Sequence, residues 1–179
     1  MFFCNTWKKV LIAATMVVAL CAPQAHASKD VVLAIASTLT TTDPWDANDT
    51  LSHACAKTFY EGLFGFNEKL ELRPVLAESY DVSPDGLVYT FHLRKGAKFH
   101  NGDAVDAEAF KRAWTRVVYP KSAVAMEYTP SEVSYHLSLV EGYDELAAGD
   151  TDEFAGLSCP DDLTFVVKLS APYADFPFV

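Results

Sequence analysis

The chain has 179 residues, half of them hydrophobic, and a formal net charge of −10 at pH 7. An acidic balance of that size disfavours nucleic acid and anionic membrane surfaces as partners. The sequence holds no Walker loop, no GxGxxG, no nucleophile elbow and no HExxH, so the common nucleotide-dependent and hydrolytic enzymes lack their signatures here.

Lys8 and Lys9 precede an apolar run, Val10 to Ala22, and a small-x-small pattern ends at Ala27. This predicts a secretory signal peptide, residues 1–27, cleaved after Ala27. A membrane anchor is the competing reading, but a spanning helix needs about 20 apolar residues and the run is shorter. A lipoprotein signal is another, because Cys21 closes the run, yet Leu20 stands where a small residue is wanted. Processing removes two lysines and no acid, which takes the formal charge from −10 to −12. It leaves Cys55 and Cys159, whose spacing matches no zinc pattern; in an oxidising compartment they either bridge or simply pack. By length, residues 28–179 make one domain.

Asp30 to Thr38 is a short Val- and Ile-rich run that reads as a buried strand. A polar loop through Asp43-Pro44 follows. Leu51, Ala54, Cys55, Thr58, Phe59 and Gly62 then fall on one face at helical spacing, with Asn48 or Asp49 as the N-cap. After Gly62 the period changes to two. Two short strands are predicted around Asn67-Glu68-Lys69, then a hairpin turning at Pro84-Asp85-Gly86. In its second strand Leu87, Tyr89, Phe91 and Leu93 form the core face, which puts His92 on the outer face beside Arg94.

Asp106 is the natural N-cap of the next helix, and Val105 and Phe110 can staple its entry. Phe110, Ala113, Trp114, Val117 and Val118 recur at helical spacing until Tyr119-Pro120 ends the pattern. A further helix is expected near His136 to Gly149, closed by that glycine, followed by an acidic surface turn from Asp150 to Phe154. The last predicted strand places Leu163, Phe165, Val167 and Leu169 on one face, and Pro172 and Pro177 mark a loop after it.

Few residues carry the pattern of a reaction. His92 and His100 could meet across a turn, but two imidazoles without a third ligand make a weak metal site. "FHNGD" reads as a turn in which Asn and Gly supply special backbone angles and Asp bonds local N–H groups. Asp161 and Asp162 are strand neighbours pointing to opposite faces, a poor acid–base pair. Phe59, Tyr60, Phe64, Phe66, Tyr89, Phe91, Phe99, Phe110 and Trp114 mostly occupy core-facing spacings. The residues alone describe an exported, acidic α+β domain that suits a binding module better than an enzyme, with no cofactor or metal assigned.

The stretch from Phe59 to Val117 resembles the extracytoplasmic peptide-binding proteins of ABC transporters, the oligopeptide/dipeptide-binding solute-binding proteins of family 5. The marks are Asp43-Pro44 after the first strand, "YEGL" at Tyr60–Leu63, "PVLAESY" at Pro74–Tyr80, "SPDGLVYTFHLRKGAKFHNGD" at Ser83–Asp103, the helix from Ala107 to Trp114, and "DDLTFVVKLSAPYADF" at Asp161–Phe176. The resemblance implies an α+β fold: the N-terminal strand of lobe one plus the small subdomain of a periplasmic binding protein type II-like fold, the rest of the two lobes being absent. It implies a truncated gene product or gene fragment, since such proteins are usually far longer. It makes His92 and His100 scaffold. It also implies a short peptide ligand, a membrane permease and ATPase complex as partners, and a periplasmic location.

By the same resemblance Asn48, Asp49, Thr50, Lys57, Met126 and Tyr128 are ligand-facing candidates. Each has a plainer role available: a helix cap, a surface lysine, a packing side chain. Members of this architecture also take nickel chelates, haem, sugars or opines, so the ligand class stays open. The alternative is a stand-alone small periplasmic interaction protein that imports nothing.

Overall fold

The computed structural model describes residues 32, 34, 37–121 and 131–178. The predicted signal peptide, most of the predicted first strand, and the candidates Met126 and Tyr128 lie outside the described residues. The chain divides into two units, Met1–Ala36 and Ser37–Val179, and every element below belongs to the second.

Period-two alternation builds the two predicted hairpins. β1 (Phe64–Phe66) and β2 (Leu72–Pro74) pair antiparallel as a small separate sheet. The Asn67 side chain organises their turn, accepting from the backbone N–H of Lys69 at 2.9 Å and of Glu71 at 3.0 Å. β3 (Ala77–Val82) and β4 (Val88–Leu93) form the second hairpin, and Gly86 takes φ +73° in the turn between them. With β5 (Leu157–Asp161) and β6 (Thr164–Lys168) they make an antiparallel sheet in the order β3-β4-β6-β5.

Tyr89, Phe91 and Leu93 of β4 and Phe165 and Val167 of β6 are buried on one face of this sheet, as the alternation predicts. The sequence reading missed β5, because Pro160 lies inside it. Proline removes a ladder donor and is tolerated on an edge strand. β5 is such an edge, and its pairing with β6 shifts register between Ser158 and Asp161.

Among the described residues the sheets are accompanied by α1 (Thr50–Ala56), α2 (Ala107–Val118) and α3 (Tyr143–Ala148). α2 starts as predicted, with the Asp106 carboxylate accepting from the N–H of Ala109 at 2.8 Å. Its Phe110 and Trp114 rings lie 5.8 and 5.1 Å from that of Phe165. Ala113 is exposed, contrary to expectation, while Ala107 and Ala109 are buried. The first turn of α2 is pressed onto the β5–β6 turn, where the N–H of Ala107 donates to the carbonyl of Asp162 at 2.9 Å.

α1 is shorter than its pattern suggested and buries Ser52 and Ala56, not the face of Leu51, Ala54, Cys55, Thr58 and Phe59. The Thr58 hydroxyl donates to the carbonyl of Cys55, and the N–H of Phe59 closes on Ala56, so the helix tightens and stops. The single helix expected between His136 and Gly149 is broken. A 3₁₀ turn spans Ser134–Leu137, Val140 bridges to Leu169, and Gly142 takes φ +83° before α3 begins. A Cβ at Gly142 would lie 2.9 Å from that of Ala155, so glycine is required there on both counts. Phe154, read as part of a surface turn, is buried in the core.

Cys55 and Cys159 are both free thiols, so the bridge is not formed. Burial first, then the neighbouring Glu108, pushes the Cys159 thiol up to about 11, which leaves it poorly nucleophilic. Among the described residues no helix is long and apolar enough to cross a membrane.

Candidate functional site

The loop between Ser37 and Asp49 ends in two of the ligand-facing candidates, Asn48 and Asp49, and a third, Thr50, opens the helix that follows. Its first fixed point is Asp43. One carboxylate oxygen caps the 3₁₀ turn Pro44–Asp46 by accepting from the N–H of Trp45 at 3.0 Å. The other accepts from Nη2 of Arg116, on α2, at 2.9 Å. The same guanidinium lies 4.7 Å from the centre of the Trp45 ring, and Trp45 is only 3% exposed. The Ser131 hydroxyl donates to the carbonyl of Trp45, and the N–H of Glu132 donates to the Asp46 carboxylate at 3.3 Å. Local spacing gave no sign of Arg116, Ser131 or Glu132, because each lies more than seventy residues from its partner.

Asn48 is exposed, and its amide donates to the Glu132 carboxylate at 3.4 Å. Asp49 is the N-cap of α1 and accepts from the N–H groups of Leu51 and Ser52 at 3.0 and 2.9 Å and from the Thr40 hydroxyl. The hydroxyls of Ser52 and Thr40 and the backbone N–H of Ser52 hold its carboxyl well below the usual carboxylate range. Ser52 is fully buried, and its hydroxyl lies 2.8 Å from that of Thr40. Thr50, the first residue of α1, is exposed.

Lys57 stands at the other end of the helix, as its C-cap. It is exposed, with Nζ 5.9 Å from the centre of the Phe66 ring. The structure thus gathers Asn48, Asp49 and Thr50 at one helix end and sets Lys57 apart from them.

Lys57 borders an apron of aromatic side chains. Phe59, Tyr60, Phe66 and Phe178 are 41–50% exposed, against the expectation that Phe59, Tyr60 and Phe66 are core. Phe66 stacks on Phe178 at 6.0 Å and Phe59 tilts onto Tyr60 at 4.9 Å. Phe59 and Tyr60 follow the end of α1, Phe66 ends β1, and Phe178 lies in the last 3₁₀ turn, Phe176–Phe178. Phe99, also read as core, is 48% exposed in the turn before α2.

What the loop and α1 offer is hydrogen bonding: an amide, carboxylates, hydroxyls and one distant ammonium. His92 is engaged with Asp81, Nε2 to Oδ2 2.8 Å, and His100 is an exposed turn residue. Among the described residues no group of three or more His, Cys, Asp or Glu could hold a metal ion.

Comparison with known proteins adds a family. Residues 71–179 match the model of the bacterial extracellular solute-binding proteins, family 5, middle region. The chain is 38% identical over 169 residues to a glutathione-binding protein, GsiB, of Pectobacterium atrosepticum, covering 94% of this chain and 29% of that protein. It is 52% identical over 110 residues to GsiB of Escherichia coli K12, covering 62% and 22%. Among solved structures it is similar to the substrate-binding domain of an oligopeptide ABC transporter from Bacillus anthracis, with 32% identity and a TM-score of 0.69 over 78% of this chain and 26% of that one. It is also similar to Listeria monocytogenes OppA bound to peptide, with 30% identity and a TM-score of 0.66 over 74% and 25%. The chain therefore spans less than a third of each of these proteins.

Proposed function

The chain belongs to the bacterial extracellular solute-binding proteins of family 5, a family of binding proteins and not of enzymes, and from that membership we propose that it serves peptide import. Its role is to carry part of the binding surface of an ABC importer's receptor, which hands its ligand to a membrane permease and ATPase complex. The first ligand to test is glutathione, a short peptide. The identity to the glutathione-binding protein of Pectobacterium atrosepticum carries this choice, because that match extends over 94% of the chain and takes in the loop from Asp43 to Thr50.

The geometry is compatible with that reading. Asn48 and Thr50 present exposed polar groups at the end of a tied-down loop, and Asp49 is spent on capping and on Thr40. Recognition of a peptide needs few, fixed polar groups of this kind. Export follows from the run of Lys8, Lys9 and the apolar residues after them, with mature protein starting at Ser28.

Calorimetric titration of the native exported protein with reduced glutathione and with trialanine tests the ligand. Saturable heat with glutathione supports the reading, and no heat with either peptide removes the peptide assignment. The intact mass and N-terminal sequence of the same sample test the rest. A start at Ser28 supports export by a cleaved signal. A mass equal to residues 28–179, together with no peptide heat and a specific protein partner, would favour the stand-alone interaction protein.

A further inference from the structure

The geometry points to Arg116 as a positioning residue for the loop that carries Asn48, Asp49 and Thr50, an assignment that rests on reading this loop as ligand-facing. Arg116 lies two residues beyond Trp114, whose ring packs edge-on to Phe165 at the centre of the core. Its backbone is therefore as fixed as the core itself. Its side chain reaches out of that frame to two successive features of the loop. Nη2 meets the Asp43 carboxylate at 2.9 Å, and the guanidinium carbon lies over the Trp45 ring, 4.7 Å from its centre.

An ordinary surface ion pair would contribute little and would fix nothing. This one differs in three respects. Both partners are only about a third exposed, at 38% and 33%. The Asp43 carboxylate also caps the turn that contains Trp45, so the cation, the ring and the cap share one geometry. Among the described residues the buried Arg116 Nε has no hydrogen-bond partner. A side chain kept there at the expense of one donor is oriented by the loop, not by its own satisfaction.

The other ties of the loop are of a different kind. The Ser131 and Glu132 contacts join it to a second loop segment, and Thr40, Asp49 and Ser52 join it to itself. Arg116 is the one side chain of a core helix seen to hold it among the described residues. Pre-organising a binding loop in this way lowers the ordering cost that a ligand must otherwise meet.

Hydrogen exchange of the full exported chain, with and without Asp43→Asn, Arg116→Ala and Arg116→Lys, tests the assignment. In Asp43→Asn and Arg116→Ala, amides of residues 41–49 should exchange about tenfold faster, while those of β4 and β6 keep their rates. Arg116→Lys retains the charge and loses the planar stack, so it should fall between. Unchanged exchange in 41–49, or an equal rise throughout the sheet, overturns the assignment whether or not the parent binds a peptide. Where the parent binds reduced glutathione, Asp43→Asn should weaken that binding about fivefold through lost pre-organisation. An affinity unchanged in a loosened loop would show that the loop does not serve the ligand. A parent that binds no peptide refutes the proposed ligand and leaves the exchange result to decide the role of Arg116.

Discussion

His92 of β4 and Asp81 of β3 meet diagonally on the outer face of the four-stranded sheet, two residues off direct register, with Nε2 2.8 Å from Oδ2. The pair is open to solvent, the side chains being 44% and 80% exposed. Such pairs contribute about 0.2–1 kcal/mol. Replacing His92 by Gln should therefore lower the unfolding free energy by less than about 1 kcal/mol and leave peptide titrations unchanged. Urea denaturation and calorimetry measure both. Lost peptide binding with intact folding would mean that this histidine is more than scaffold.

Asp106 is a different case, because its carboxylate takes the Ala109 N–H at 2.8 Å at a helix start, where the other acceptor within reach is its own carbonyl at 3.2 Å. Asp106→Ala should cost about 1 kcal/mol. The urea midpoint should fall with an unchanged slope, since the surface exposed on unfolding stays the same. A midpoint identical to the parent's would show that water replaces the cap without loss.

Acid should weaken the fold through the capping carboxylates. Asp49, Asp85 and Asp161 are all held below the ordinary carboxylate range, Asp49 and Asp85 chiefly by serine hydroxyls and Asp161 chiefly by the Leu163 N–H. A carboxyl depressed by folding stabilises above its unfolded value, about 3.9, and that stability is lost as pH falls toward the folded one. The contribution of these three carboxyls to unfolding free energy should be level near neutrality and decline below about pH 4. Asp49→Asn keeps a capping side chain and removes one titration, so its acid decline should be shallower. Parallel declines for the two proteins would exclude Asp49 as a contributor.

The exposed aromatics make a prediction about association. Phe59, Tyr60, Phe66 and Phe178 present apolar surface of a kind that monomers rarely leave open. The purified chain should self-associate with rising concentration in analytical ultracentrifugation, and Phe66→Ser with Phe178→Ser should suppress it. A clean monomer at all concentrations would show that the apron is tolerated in water.

Elements whose signal is local were the legible ones. The alternation of Tyr89, Phe91 and Leu93, the turn at Gly86 and the cap at Asp106 all act within a few residues, and all stand where the sequence put them. β5 was hidden because its Pro160 obeys an edge-strand rule that only the assembled sheet reveals. The helix after His136 failed for a similar reason, since Ala155 decides the conformation of Gly142 from thirteen residues away. In the candidate site, Asp49 could be read as a cap, but the side chains that tie its loop could not. Arg116 lies 73 residues from Asp43 and Ser131 lies 86 from Trp45, and no period or propensity links such distant positions.

The two rims of the larger sheet are closed by unlike means. On one, Pro160 supplies no N–H and the register of β5 slips beside it. On the other, the carbonyl of Leu63 receives the N–H groups of Val75 and Ala77, so the first backbone donor of β3 is already occupied. A foreign strand finds its row of donors and acceptors interrupted at Pro160 on one side and at Ala77 on the other. Crowding of this protein should thus favour reversible clusters held by side chains over fibrils that grow by adding strands to the sheet.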